Sequence, residues 1–215
     1  PMNRLLQGDV GSGKTVVAGL AARQAASSGF QSAIMAPTEI LASQHAETLT
    51  MLLQPFGVTV GLLTGSVKGK AREELYKQIA SGGVDVVVGT HALIQDAVTF
   101  HRLGFVVIDE QHRFGVAQRQ QLLHKSDHMP HLLAMTATPI PRSLALTVYG
   151  ELDISVMNER PKGRKPILTK LWSPNSRSQL YDLIEEQLAQ GRQAYVICSL
   201  IDDNADNELK SVQAE

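Results

Sequence analysis

Along the first 155 residues, short apolar runs alternate with longer stretches whose apolar positions recur at helical spacing. An apolar-leaning RLLQ (4–7) reads as a strand, and the alanine-rich stretch from Lys14 to Ser28, free of proline and closed by Gly29, reads as a helix. SAIMAP (32–37) is a buried-strand candidate. Ile40 to Leu53 places apolar residues at Ile40, Leu41, Leu49, Leu52 and Leu53 before Pro55, which predicts a second helix. VTVGLLTG (58–65) predicts a strand, and KGKAREELYKQIASGG (68–83) a charged amphipathic helix, with Glu73 four residues before Lys77 and a glycine pair as its stop. VDVVVGT (84–90) and LGFVVIDE (103–110) are nearly continuous β-branched runs, the pattern of parallel strands covered on both faces. His112 to His124 predicts a helix, HLLAMTAT (131–138) a further buried strand, and IPRSLALTVYG (140–150) a short helix ended by Gly150. Strand and helix alternating in this way imply an α/β fold of three layers, with a mainly parallel sheet and right-handed crossovers.

The rhythm breaks at MNERPKGRKPIL (157–168), where two prolines, a glycine and several charges predict a linker over 158–165. Beyond it LTKLW, the helical SRSQLYDLIEEQLAQG and the apolar QAYVICSLI restart a β-α-β pattern, so residues 166–215 read as the truncated start of a second α/β lobe, after a first lobe over 1–157. Both ends read as cuts through a longer protein.

Composition narrows this picture in two ways. With 43% apolar and 19% charged residues the chain is globular, and a formal net charge of -1 excludes a strongly basic wrapper of nucleic acid, so any such contact must rest on local clusters. The single cysteine, Cys198, cannot close an internal disulfide. With no signal-like start and no apolar run near the length of a membrane span, a reducing, cytoplasmic location is expected.

The candidate chemistry is concentrated after strands. GDVGSGKT, residues 8–15, matches the phosphate-loop pattern G-x-x-x-x-G-K-[ST] between a strand and a helix start. A glycine-rich turn running into a helix N-terminus gathers unpaired N–H groups where the helix dipole favours a polyphosphate. Gly8, Asp9, Val10, Gly11, Ser12, Gly13, Lys14 and Thr15 are therefore the expected ATP-binding set. Lys14 should reach the outer phosphates, and the Thr15 hydroxyl should sit on Mg2+. FVVIDE (105–110) ends a buried strand in two carboxylates, at the edge where open parallel sheets bind ligands. Asp109 there can hold the metal, and Glu110 can orient or deprotonate a water for attack on the γ-phosphate.

Other motifs carry less on their own. His112 can sense the γ-phosphate or can be a local hydrogen-bonding residue at a helix start. Thr136 and Thr138 can relay the nucleotide state to a distant surface, or can simply cap a turn before Pro139. Thr64-Gly65 and Gly89-Thr90-His91 follow strands and can either hold nucleic-acid phosphates or serve as turns. HKSDHMPH (124–131) has three histidines and Asp127, yet its setting is that of a solvated connection rather than a metal site.

The ordered set GDVGSGKT, APTEILASQH, TGS, VGTHALIQ, DEQHRFGV and MTATPIPR resembles the first motor lobe of superfamily two DNA helicases. Within them it is similar to the RecG family, branch-migrating DNA translocases, over essentially the whole chain. DEQHRFG with TATPIPR is shared with a close relative, the transcription-repair coupling translocase, which typically carries a glutamate where this chain has Gln111. The resemblance implies a RecA-like phosphate-loop lobe that uses ATP and Mg2+ to move on branched or duplex DNA, as a monomer. It implies that Lys14, Asp109, Glu110 and His112 are catalytic, that Thr15 and Asp109 hold the metal, and that Thr136 and Thr138 couple hydrolysis to movement. It also implies that Pro37, Thr38, Thr64, Gly65, Thr90 and His91 contact nucleic acid. The family's N-terminal wedge domain and most of its second lobe, with the arginine finger, have no counterpart here, and no arginine follows Arg192. An arginine finger is worth about 10³–10⁵ in rate, so this chain alone is expected to hydrolyse ATP poorly. Two other classes fit the phosphate loop, a nucleotide-dependent binding switch without motor function and a kinase. The kinase would need an arginine-rich lid that the sequence does not show.

Overall fold

The computed structural model describes residues 1–110, 113–126, 128–138, 152–158 and 167–197. They fall into two compact units, residues 1–164 and 165–215. In the first, seven strands form one sheet in which every pairing is parallel: β1 (Asn3–Gly8), β2 (Gln31–Met35), β3 (Val60–Leu63), β4 (Val86–Gly89), β5 (Leu103–Ile108), β6 (His131–Thr136) and β7 (Asp153–Met157). Their spatial order is β3-β4-β2-β5-β6-β1-β7. Among the described residues four α-helices lie between them, α1 (Lys14–Ser27), α2 (Glu39–Leu53), α3 (Gly69–Ser81) and α4 (Val116–Leu123).

The two-residue period of the strands sorts the core onto two faces. Ile34, Val86, Val88, Phe105 and Val107 point to one side and pack with Ala18 and Ala22 of α1 and Ala42, Leu49 and Leu53 of α2. Ala33, Met35, Val87, Val106 and Ile108 point to the other and pack with Ile79 of α3 and Leu122 of α4. Because both faces are covered, Val86, Val87 and Val88 are all 0% exposed. Each such side chain contributes roughly 1.5–3 kcal/mol by leaving water. This is the three-layer α/β lobe with a parallel sheet that the alternating pattern predicts.

A polar side chain with four hydrogen bonds is built into the base of this core. Gln31, 4% exposed, donates from Nε2 to the carbonyls of Ile79 and Val84 at 3.0 and 2.8 Å. Its Oε1 accepts from the N–H groups of His101 and Arg102 at 2.7 and 3.2 Å. A single amide thus ties β2 to the end of α3 and to the turn before β5. Gln31→Leu keeps the volume and strips all four bonds, so a loss of about 2–4 kcal/mol of unfolding free energy is expected by urea titration. A change within 0.5 kcal/mol would show that water replaces the amide.

Differences from the sequence expectation lie at element ends and beyond the first unit. The helix expected from His112 begins only at Val116, after Gly115, whose N–H donates to Gln118 Oε1 at 3.1 Å. The edge strand β7 was not foreseen, because DISVM is short and half-polar; its pairing with β1 fixes it. The helix expected over 140–150, the linker's residues 159–165 and Cys198 lie outside the described residues. In the second unit the described elements are a single-turn helix, Pro174–Ser176, and α5 (Arg177–Ala189). The strands expected at LTKLW and in the described part of QAYVICSLI are not formed. A strand is stable only against hydrogen-bonding neighbours and a covered face, and here Leu171, Tyr195 and Ile197 remain exposed.

Candidate functional site

Apart from the 124–131 connection, which runs from α4 into β6, the motifs singled out in the first unit, where described, follow the C-terminal ends of strands, so the parallel sheet gathers them along one edge. The strand order divides that edge into two halves. β1, β6 and β5 are consecutive and lead into the phosphate loop, the Thr-Ala-Thr turn and the Asp-Glu pair, respectively. β2, β4 and β3 continue the edge and lead into Pro37-Thr38, Thr90-His91 and Thr64-Gly65.

The loop is shaped by close approach. Gly8 closes β1 opposite Met157 of β7, and an added Cβ would meet Ser12 Oγ at 2.6 Å and Met157 Cβ at 3.0 Å. Gly13 takes φ 97°, the left-handed conformation that turns the chain into α1. Ser12 N–H donates to the Asp9 carbonyl at 3.1 Å and Val10 N–H to Asp9 Oδ1 at 2.8 Å. Among the described residues no acceptor meets the N–H groups of Gly11, Gly13, Lys14 or Thr15. Lys14 Nζ folds back onto the loop and donates to the carbonyls of Gly8 and Asp9 at 2.7 and 2.9 Å.

Across β6, the Asp-Glu pair is held from two sides. Asp109 N–H donates to the Met35 carbonyl at 2.9 Å, extending the β5–β2 pairing past the strand end. Asp109 is 8% exposed, and its Oδ2 accepts from His45 Nε2 of α2 at 2.7 Å. Glu110 is half-buried with φ 48°, a positive-φ residue other than glycine, and its carbonyl accepts from Arg113 N–H at 2.8 Å. Thr136, 1% exposed, pairs with Gln7 across β1–β6, and its hydroxyl lies 3.0 Å from that of Thr138. The two hydroxyls therefore face each other within one turn beside the loop. His112 lies outside the described residues.

On the other half, exposed Thr38 caps α2, its Oγ1 accepting from Leu41 N–H at 3.3 Å. Thr64 and Ser66 share a hydroxyl hydrogen bond of 2.7 Å, and a Cβ at Gly65 would meet Glu39 Oε1 at 2.8 Å, which sets that turn against the first turn of α2. The His91 ring lies 5.4 Å from the Phe114 ring, so the turn after β4 touches the segment just past the Asp-Glu pair.

This donor set fits a nucleoside triphosphate with a divalent cation. Bare amides and an ammonium suit phosphate oxygens, and a hydroxyl and carboxylates are hard oxygen donors for Mg2+. Among the described residues no cluster of three or more metal-capable side chains occurs, and Asp127 of the 124–131 connection lies outside those residues. Two contributors escape sequence reasoning. His45 stands beside the buried stripe Ala42, Ala46, Leu49 and Leu53 of α2, and a polar residue at the margin of an apolar stripe is the one signal it gives. Met157 reaches the loop only through the pairing of β7 with β1.

A family model described as DEAD/DEAH box helicase matches residues 2–147. The chain belongs to the DEAD/DEAH box helicase family. Among curated proteins this DEAD/DEAH box chain is 52% identical, over 100% of its length and 27% of the relative's, to the ATP-dependent DNA helicase RecG of Aquifex aeolicus (strain VF5). It is 56% identical, over 94% of its length and 30% of the relative's, to the ATP-dependent DNA helicase RecG of Bacillus subtilis (strain 168). A solved structure of RecG bound to a three-way DNA junction superposes with a TM-score of 0.77 at 45% identity, covering 91% of this chain and 26% of that one. The chain is thus homologous to RecG helicases, and it spans between a quarter and a third of the length of these relatives.

Proposed function

We propose that this chain is the first motor lobe, with the start of the second, of a RecG-type ATP-dependent DNA helicase that remodels branched DNA in recombination and repair. The observation that carries the reading is the strand order: loop, Thr-Ala-Thr turn and Asp-Glu pair stand on three consecutive strand ends, with the three expected nucleic-acid turns on the next three. Homology to RecG favours this reading over a transcription-repair coupling lobe.

In this reading Gly11, Gly13, Lys14 and Thr15 offer their N–H groups to the phosphates, while the Lys14 ammonium exchanges its two loop carbonyls for phosphate oxygens. Thr15 and Asp109 would hold Mg2+, whose charge would offset that of the phosphates. Glu110 aligns the attacking water and takes its proton. His112 completes this motif. Thr136 and Thr138, whose hydroxyls already bond each other, exchange partners as the nucleotide state changes and pass it on. Pro37, Thr38, Thr64, Gly65, Thr90 and His91 meet the DNA backbone through hydroxyls, ring and main chain. Residues 158–165 join the two lobes, and 166–215 begin the second.

No helix among the described residues is long and apolar enough to cross a membrane, and work on DNA places the protein in the cytoplasm, as a monomeric motor. On a synthetic three-way junction, an intact protein carrying this chain is expected to displace a strand with ATP and not with a non-hydrolysable analogue. Closure on the analogue with no ATP-driven displacement would make the protein a switch and remove the motor.

A further inference from the structure

α2 joins the two halves of the sheet edge. Its N-cap is Thr38, on the half expected to meet DNA, and less than two turns later it carries His45. At 1.5 Å per residue the two lie about 10 Å apart along a rigid rod. His45 Nε2 is 2.7 Å from Asp109 Oδ2, and an ionised carboxylate only accepts, so Nε2 bears the proton and donates. With side chains only 14% and 11% exposed, little water competes for this bond.

Packing does not require a histidine here. α2 is anchored to the sheet by Ala42, Ala46, Leu49 and Leu53, and His45 stands beside that stripe with its ring turned to the carboxylate. The Asp109 main chain is meanwhile fixed by Met35, the last residue of β2. Main chain and side chain of Asp109 are therefore both held by the unit β2–α2, whose connecting turn is Pro37-Thr38. A shift of α2 along its axis would leave the Asp109 main chain in place and move the partner of its side chain.

We propose that His45 is the positioning residue that orients the Asp109 carboxylate for the metal, and that it reports to Asp109 the displacement of α2 when Pro37 and Thr38 take hold of a DNA phosphate. This rests on the assignment of Asp109 to the metal and of the α2 N-terminus to DNA made above. The coupling is physical because one short helix touches both groups and its hydrogen bond to Asp109 is directional.

The test uses an intact protein with Mn2+ replacing Mg2+, and reads the affinity of the nucleotide-bound protein for Mn2+ from the spin-resonance signal of free metal, with and without a three-way junction. In the parent, DNA is expected to shift Mn2+ affinity severalfold. His45→Leu, which fills the site without a donor, should weaken Mn2+ about tenfold and abolish the shift caused by DNA. His45→Gln, whose amide nitrogen can stand where Nε2 stands, should restore both; His45→Asn, one methylene too short, should not, and it keeps the test open should the leucine variant melt early. DNA-stimulated kcat should fall with the Mn2+ effect while the DNA concentration for half-stimulation stays within twofold. A DNA-dependent Mn2+ shift that survives in His45→Leu or His45→Asn overturns the proposal. Lys14→Ala run alongside separates the two levels: normal nucleotide binding there removes the underlying site, whereas its loss beside an intact DNA effect in the His45 variants removes the coupling alone.

Discussion

Glu110→Gln in an intact protein is expected to bind ATP within about twofold of the parent and to lose roughly 10²–10⁴-fold in DNA-stimulated turnover, the range a general base contributes. The substitution keeps size and polarity, so the turn held by the hydrogen bond from Arg113 N–H to the Glu110 carbonyl survives. It removes the charge that, in the proposed mechanism, polarises and deprotonates water. Affinity should persist because the amides and ammonium proposed to grip phosphate belong to the loop after β1, with β6 between that loop and Glu110. Calorimetry with a slowly hydrolysed analogue and steady-state turnover measure the two halves. Parent-like turnover would strip Glu110 of its role.

The second large effect is expected at Lys14. Its ammonium is half-buried and already donates to two carbonyls of the loop, so it is poised where phosphate oxygens would replace them. Charged hydrogen bonds contribute about 1.5–3 kcal/mol each. Losing one or two of them in Lys14→Ala should weaken ATP by on the order of 10–100-fold or more in calorimetry. The bonds to Gly8 and Asp9 vanish in the same variant, so its nucleotide-free form should also have a looser loop. Unchanged affinity would contradict the phosphate-loop assignment.

How much of this was legible follows the range of the interactions. The strands around Val86–Gly89 and Leu103–Ile108 announce themselves because burial on both faces demands unbroken β-branched runs. The loop is legible because its glycines and lysine are needed in a fixed local order. By contrast, the division of the sheet edge into two halves depends on strand order, which no local stretch encodes. The bond from His45 to Asp109 spans 64 residues and needs α2 docked on the sheet before it exists. β7 escaped for the same reason: five residues, three partly buried and two exposed, become a strand because β1 presents an open edge. LTKLW and QAYVI failed in the opposite direction, since apolar alternation creates the demand for a neighbour and does not supply one.

The left-handed turn at Glu110 has a thermodynamic consequence. A side chain with a Cβ in that region costs on the order of 1–2 kcal/mol relative to a right-handed residue, and glycine or asparagine would bear it more cheaply. Packing alone favours glycine at this corner, so the strain at Glu110 is explained by the carboxylate that the proposed reaction needs there. If that role holds, glycine at this position gains thermal stability and loses turnover.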